Sequence, residues 1–267
     1  MSRLSRTLSK LKRQKRKSLV TFVVAGDPNL DQSLDLMISM AESGADVIEL
    51  GVPVSDPKAE GPVIKKAHER ALQKDISLNS IFDLVTRFRE TNSATPVILM
   101  GYMESLETIG FEDFSKNAAD SGVDGIILVD LRPEESSVLR SYLDLYDVEL
   151  VFLIAPTMTE VRSKFVCEAS RGFVYCISMK GTTGQKGVDV AEVKSRVELL
   201  RPITPLPVLV GFGINSSKVA QSIGSFADGV IIGSALVGLI DKNSQLPAMM
   251  LDEVSRFISG VRVALDG

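Results

Sequence analysis

Eight short apolar runs alternate with segments of helical period along the chain, and they predict an α/β fold, the (β/α)8 barrel, with an extra helix at the N-terminus. Three observations carry this expectation. The runs are apolar nearly throughout instead of alternating, as in parallel strands covered on both faces. Runs and helical segments share about 250 residues, the usual span of such a barrel. A doubly wound open sheet would place a GxGxxG turn after an early strand; none is present, and GFGINSS follows the seventh run instead.

The elements follow in order. From Arg3 to Lys17 the chain is dense in Lys and Arg, with Leu4, Leu8 and Leu11 at helical spacing. Residues 1–17 are therefore expected to form a basic, solvated amphipathic helix, with an electrostatic docking arm as the alternative. LVTFVVAG (19–26) is the first strand. Asp27-Pro28 then gives first-turn chemistry to the helical segment LDQSLDLMISMAESGA. DVIELGVP (46–53) and PVILMGY (96–102) are the second and third strands, with the helical stretch PVIKKAHERALQK between them. GIILVD (125–130) is the fourth. Pro133-Glu134-Glu135 opens the next helix, EESSVLRSYLDLY. ELVFLIAP (149–156), FVYCIS (173–178), PVLVGFG (207–213) and GVIIGSAL (229–236) complete the set. No linker, low-complexity tract or composition break interrupts it, so residues 1–267 are expected to form one domain.

The totals exclude several classes. A hydrophobic fraction of 45%, a charged fraction of 24% and a net charge of −4 give no general reason to expect nucleic acid or anionic membrane as a partner. Cys167 and Cys176 lack CxxC spacing and a nearby histidine, so no metal site is expected, and both are expected to be buried free thiols. The apolar run after the basic N-terminus is too short for a secretory signal and ends at Asp27-Pro28. No run approaches the ~18 apolar residues of a membrane span. A cytoplasmic protein is the expectation. His68 is the only histidine, so no Ser-His-Asp or Cys-His pair can form without it. It lies in a helical stretch, where a structural or solvent-facing role is expected.

The active site of a (β/α)8 barrel lies at the C-terminal ends of its strands. In VIEL, Ile48 and Leu50 are expected to face the helices, which turns Glu49 into the barrel. A buried glutamate has a raised pKa, suited to proton transfer near neutrality. The structural alternative is a buried ion pair, yet no basic strand-end partner is evident. Glu60 lies in the following loop and could supply a second carboxylate; on position alone a solvated loop charge is the expected reading. Asp56, in SDP, reads equally as turn chemistry. GTTG (181–184), GFGINSS (211–217) and IGSA (232–235) follow the sixth, seventh and eighth strands. Three small-residue turns on consecutive late strands suggest a phosphate cradle of backbone N–H groups and helix N-termini. Lys180 could form a Schiff base with a carbonyl, but its place beside Gly181 favours an exposed side chain.

ELGVPVSDPKAEGP resembles the ELGxPFSDPxADGP signature of the tryptophan synthase α subunit family. The resemblance continues in order through TFVVAGDP, GVDGIILVDLRPEE, GFVYCISMKGTTG, GFGIN and DGVIIGSA, and so spans the chain. It implies a TIM barrel that cleaves indole-3-glycerol phosphate to indole and glyceraldehyde 3-phosphate. It also implies an α2β2 assembly with a β subunit that carries pyridoxal phosphate, this chain needing no cofactor of its own. By position it implies Glu49 as the main acid/base, Glu60 as the carboxylate at the indole N–H, and Tyr175 as the active-site tyrosine. Phe22, Tyr102 and Ile127 match the indole pocket. Gly184, Gly213, Gly233 and Ser234 match the phosphate site, with Gly211 beside them in GFG. Thr183 matches the loop threonine that closes over the site. Asp56, Pro57, Glu104 and Arg132 fall on loops that meet the β subunit.

The chain departs from the family pattern in those loops. Glu60 replaces an aspartate, Lys58 an apolar residue, Glu104 an asparagine and Arg132 a proline. Lys65 and His68 stand where uncharged polar residues are usual, and Thr182 and Gln185-Lys186 alter the VTGAR loop. A carbon–carbon lyase is the leading expectation. The alternatives are an α-like subunit that mainly activates its partner, with weak or lost lyase activity, and a Schiff-base aldolase using Lys180.

Overall fold

The computed structural model describes residues 1–107, 109–178 and 188–267. Its strands are β1 (Ser18–Val24), β2 (Val47–Gly51), β3 (Val97–Gly101), β4 (Gly125–Leu128), β5 (Glu149–Val151), β6 (Leu153–Ile154), β7 (Val174–Ile177), β8 (Val208–Gly211) and β9 (Gly229–Ile232). All pair in parallel, in the spatial order β5-β4-β3-β2-β1-β9-β8-β7-β6. The two ends of that order are halves of one extended segment, interrupted at Phe152. Its lower half pairs with β4 and its upper half with β7. The fifth expected strand thus bridges both ends of the sheet and closes an eight-membered barrel. The eighth run stops at Ile232, short of residue 236, because a helix begins at Ser234.

Helices cover the outside. They include α1 (Arg3–Arg13), α2 (Leu30–Glu42), α3 (Pro62–Leu72), α4 (Leu78–Thr91), α5 (Glu104–Glu107), α6 (Phe111–Ser121) and α7 (Ser137–Leu145). They continue as α8 (Glu160–Ala169), α9 (Val190–Leu200), α10 (Ser217–Gly224), α11 (Ser234–Asn243) and α12 (Pro247–Asp266). Two apolar layers follow from the period-two alternation of strand side chains. Ile48, Leu50, Leu99 and Val210 lie in the layer between sheet and helices. Val20, Phe22, Val47, Ile98, Met100, Ile127, Tyr175 and Leu209 fill the barrel. No helix among the described residues is long and apolar enough to cross a membrane.

The N-terminal end of the barrel is sealed by α1, an amphipathic helix as expected but packed against the barrel by its apolar face instead of solvated. Leu4, Leu8 and Leu11 are buried, and Leu4 and Leu8 join the barrel-interior cluster. Its hydroxyls and charges are tied to the barrel floor. Ser2 and Ser5 donate to Glu149, Arg3 pairs with Asp124, and Arg16, just beyond the helix, pairs with Asp46.

A repeated device finishes this end. Asp46, Asp124 and Asp228 each immediately precede a strand. Each carboxylate accepts from a backbone N–H near the start of the adjacent strand: Leu19 at 2.9 Å, Val97 at 2.8 Å and Val208 at 2.9 Å. Each also faces arginine: Arg16 and Arg262 at Asp46, Arg3 and Arg89 at Asp124, Arg201 at Asp228. These groups satisfy N–H donors at the sheet's end that would otherwise be desolvated.

Leu4→Ala leaves a hole in this plug. Urea unfolding is expected to show a loss of about 2–5 kcal/mol, the range for emptying a fully buried leucine site.

Candidate active site

Glu49 sits in the middle of β2, in register with Phe22 of β1 and Ile98 of β3. The residues on either side of it face the helices, so the side chain points into the barrel, as the sequence pattern requires. It is fully buried, and neither carboxyl oxygen has a hydrogen-bond partner among the described residues. Burial, reinforced by the charge of Glu60, pushes its pKa up to about 8. A carboxyl so placed is mostly protonated at neutral pH and can give up its proton there.

Glu60 is brought back into the mouth by the loop from Val52 to Gly61, and it too is buried, which overturns the solvated-loop reading. Four contacts among the described residues help shape that loop. Val52 N–H donates to Met100 O at 2.7 Å, Val54 N–H to the ring of His68 at 3.1 Å, Ala59 N–H to the Tyr102 hydroxyl at 3.1 Å, and Glu60 N–H to Pro57 O at 3.0 Å. Burial raises the Glu60 pKa to about 7, with Lys65 acting in the opposite direction. Tyr102, expected to line the indole pocket, is placed as a loop anchor on the rim.

Tyr175 of β7 is buried, and burial together with the charges of Glu49 and Glu60 holds its phenol well above its ordinary pKa. It therefore stays protonated, an O–H group within electrostatic reach of both carboxyls. Its ring crosses bare backbone at Gly211: a Cβ there would lie 2.3 Å from the hydroxyl. Gly211 thus makes room for Tyr175. Phe22 likewise lies against Gly51 and Gly233.

The cavity at this end is lined by Phe22, Glu60, Met100, Tyr175, Phe212 and Ser234, among others. Gly213 and Gly233 also border it, and Ser234 is the first residue of α11. An anion here would meet the N-terminus of that helix and adjacent backbone N–H groups. Phe212 and Gly213 both have left-handed backbone, with φ of 75° and 71°. For phenylalanine this is a strained conformation, of the kind held in place at functional sites. Ser178 Oγ fastens it, donating to Gly211 O at 2.7 Å and contacting Phe212 O. A neighbouring cavity of about 320 Å³ is mainly apolar and shares Met100 and Phe212 with the first. Ile127 belongs to the barrel-interior cluster with Met100.

On the rim, Asp56, Lys58, Ala59, Tyr102, Glu104 and Asp130 line one groove. Asp56 is exposed, with Lys58 3.9 Å away, and Glu104 begins α5. Arg132 is exposed and pairs with Glu135 at the edge of the apolar cavity. Pro57 is buried, and its carbonyl closes the turn onto Glu60. Thr183 and Gly184, and Lys180 with the rest of that loop, lie outside the described residues.

Sequence reasoning left out Phe212, Met100 and Ser178. Phe212 stood inside the quoted GFGIN, and Met100 is inward by the period of PVILMGY. Nothing local marks Ser178, whose role arises only across the β7–β8 pair. The two cysteines are free and buried, as expected. Among the described residues no three His, Cys, Asp or Glu side chains are grouped to hold a metal ion.

Residues 8–265 match the family model for the tryptophan synthase alpha chain. The tryptophan synthase alpha chain of Thioalkalivibrio sulfidiphilus is 46% identical over 266 residues, covering 100% of both chains. The crystal structure of tryptophan synthase subunit alpha from Legionella pneumophila str. Paris superposes with a TM-score of 0.92 at 37% identity, covering 100% of this chain and 99% of that one. A chain from the tryptophan synthase α2β2 complex of Pyrococcus furiosus gives a TM-score of 0.84 at 32% identity, covering 92% and 98%.

Burial of Glu49 has a consequence for stability. Its folded pKa, about 8, lies above the ordinary 4.5. Between those values the folded state holds more protons than the unfolded state, so stability falls as pH rises. Glu49→Gln removes this dependence. Melting experiments are expected to show the variant more stable than the parent at pH 8, by on the order of 1–3 kcal/mol, with the difference shrinking toward pH 5.

Proposed function

Since the chain belongs to the tryptophan synthase alpha chain family and is a carbon–carbon lyase for indole-3-glycerol phosphate, we propose that Glu49, Glu60 and Tyr175 form its catalytic group. The observation that carries this reading is that both oxygens of the buried Glu49 lack a partner among the described residues. Buried polar atoms in native proteins are almost always satisfied, and an exception calls for a role.

The chemistry needs two proton movements. C3 of the indole ring must gain a proton, and the hydroxyl on the adjacent side-chain carbon must lose one. The bond between C3 and that carbon then breaks. Its electron pair returns to the ring, leaving indole, and the hydroxyl carbon becomes the aldehyde of glyceraldehyde 3-phosphate. One carboxyl can do both. Glu49, protonated at rest, delivers a proton to C3, and the carboxylate so formed takes the hydroxyl proton. The acid is regenerated and the balance closes. Its pKa near 8 suits both halves of this cycle at neutral pH.

Glu60 answers the positive charge that protonation of C3 spreads over the ring nitrogen. Its pKa near 7 leaves a substantial ionised fraction for that purpose. Phe22, Ile127, Met100 and Phe212 bound the aromatic moiety, and the turns at Gly213, Gly233 and Ser234 hold the phosphate. Gly211 and Tyr102 serve at one remove, seating Tyr175 and the Glu60 loop. Thr183 and Gly184 are proposed to close over the substrate on family position alone.

The same reading assigns a β subunit as partner in an α2β2 assembly, bound across Asp56, Pro57, Glu104 and Arg132. Pyridoxal phosphate belongs to that partner, where indole is joined to serine. Residues 1–267 act as one barrel domain in the cytoplasm. The full-length family match does not favour an α-like subunit without lyase chemistry.

Indole release from indole-3-glycerol phosphate, measured with and without a β subunit, tests the reading. The chain is expected to release indole, and faster with the partner. Glu49→Gln is expected to lower kcat by at least about 10²-fold while still binding a phosphate-bearing analogue. Glu60→Asp is expected to keep or raise activity. Unchanged turnover in Glu49→Gln would make that residue structural. No indole in either condition would remove the lyase assignment.

A further inference from the structure

The only histidine in the chain lies on α3, and it is buried. It borders neither cavity of the site nor the rim groove. What it touches is backbone: Nδ1 accepts from Val54 N–H at 3.1 Å. That amide lies between the end of β2 and the turn that aims Glu60. Of the contacts that shape the loop, those at Val52 and Glu60 are backbone to backbone. Among the described residues, His68 and the Tyr102 hydroxyl act as side-chain acceptors for this loop.

From this geometry we propose that His68 is a positioning residue for the second carboxylate: its neutral ring pins the loop at Val54, so that Glu60 enters the barrel mouth at a fixed depth. The proposal rests on Glu60 being that carboxylate. Several consequences follow from the chemistry of the ring. An Nδ1 that accepts a hydrogen bond carries no proton, so the neutral ring is the Nε2–H tautomer. Protonation at Nδ1 would replace the acceptor with a donor facing another donor, and the contact would break. Burial opposes that protonation and pushes the pKa down to about 4. The residue needs no titration to do its work; it needs a lone pair in the right place. A shift of about 1 Å in a catalytic group can cost on the order of 10²-fold in rate, so a distant acceptor can govern turnover without touching substrate.

A single histidine makes the ring directly observable. In an untagged chain labelled with ¹⁵N-histidine, one pair of ring signals is expected: a bare Nδ1 and a protonated Nε2, little changed from pH 8 down to about pH 5. A protonated Nδ1, or titration near the ordinary value of about 6.5, would overturn the proposal. The kinetic arm uses the α2β2 complex. His68→Ala is expected to lower kcat for indole release about 10- to 100-fold with KM within about threefold, because the phosphate site is untouched. His68→Asn puts Oδ1 where Nδ1 stood, and it is expected to keep kcat within about threefold of the parent. Wild-type kcat in the alanine variant, or an asparagine variant as slow as the alanine one, would refute the positioning role. An inactive parent would overturn the lyase reading alone, since the ring signals report the loop contact without turnover.

Discussion

A buried carboxyl on β2, unpaired among the described residues, is the constraint on which the C-terminal end of this barrel depends. An isolated ionised carboxylate in a protein interior is so unfavourable that the group keeps its proton instead. Glu49 is in that condition, and Glu60 nearby strengthens it by mutual repulsion. The opposite end of the barrel shows that the fold can satisfy acids when stability is all that is required. Asp46, Asp124 and Asp228 each receive a backbone N–H and face arginine. The same polypeptide thus gives these three aspartates N–H groups and arginine at the floor, and leaves both oxygens of Glu49 without a hydrogen-bond partner among the described residues at the mouth. The difference lies in the partners supplied, because Asp124 is also buried.

The two ends also differ in how they are held. The floor is sealed by the leucines of α1 and by carboxylate contacts at the start of the strands. The mouth is made of turns that need individual fasteners: His68 and Tyr102 at the Glu60 loop, and Ser178 at the left-handed turn of Phe212 and Gly213. Glycine enters where aromatic rings must cross backbone. Gly211 lies under Tyr175, and Gly51 and Gly233 lie against Phe22. The rings are fixed by the absence of side chains around them as much as by packing.

Much of this was legible in the sequence, for definite reasons. Short continuous apolar runs alternating with helical segments point to parallel strands, and period two turned Glu49 inward, because both patterns follow from backbone geometry. The fate of α1 was not legible. Its leucine stripe showed an amphipathic helix, but nothing local said that the apolar face would plug the barrel. Glu60 illustrates the same limit. A loop glutamate is usually solvated, and its burial depends on contacts with Met100 and Tyr102, some 40 residues away in sequence. The floor aspartates stood visible as AD, VD and AD before three strands, yet each is satisfied by a different strand. Gly211 read as a phosphate-loop glycine until the position of Tyr175 gave it a second function.

Helix α3 gathers several of these threads, and it does so with residues that differ in reach. Arg70 makes a bidentate pair with buried Asp27 beyond β1 and a third contact with Asp241 on α11, the helix that begins at Ser234. His68, nearly two turns into the helix, takes the Val54 amide. Lys65, in the first turn, acts on Glu60. One helix therefore links the turn after β1, α11, the loop and Glu60. This bears on the extra methylene that Glu60 carries relative to aspartate. A longer side chain on an unchanged loop would push its carboxyl further into the apolar mouth, where desolvation favours the neutral acid. A cation five residues later opposes that tendency and keeps part of the group ionised. Glu60 and Lys65 are both departures from the family pattern, and the electrostatics make them complementary: the lysine restores to the longer acid the charge that its deeper burial takes away.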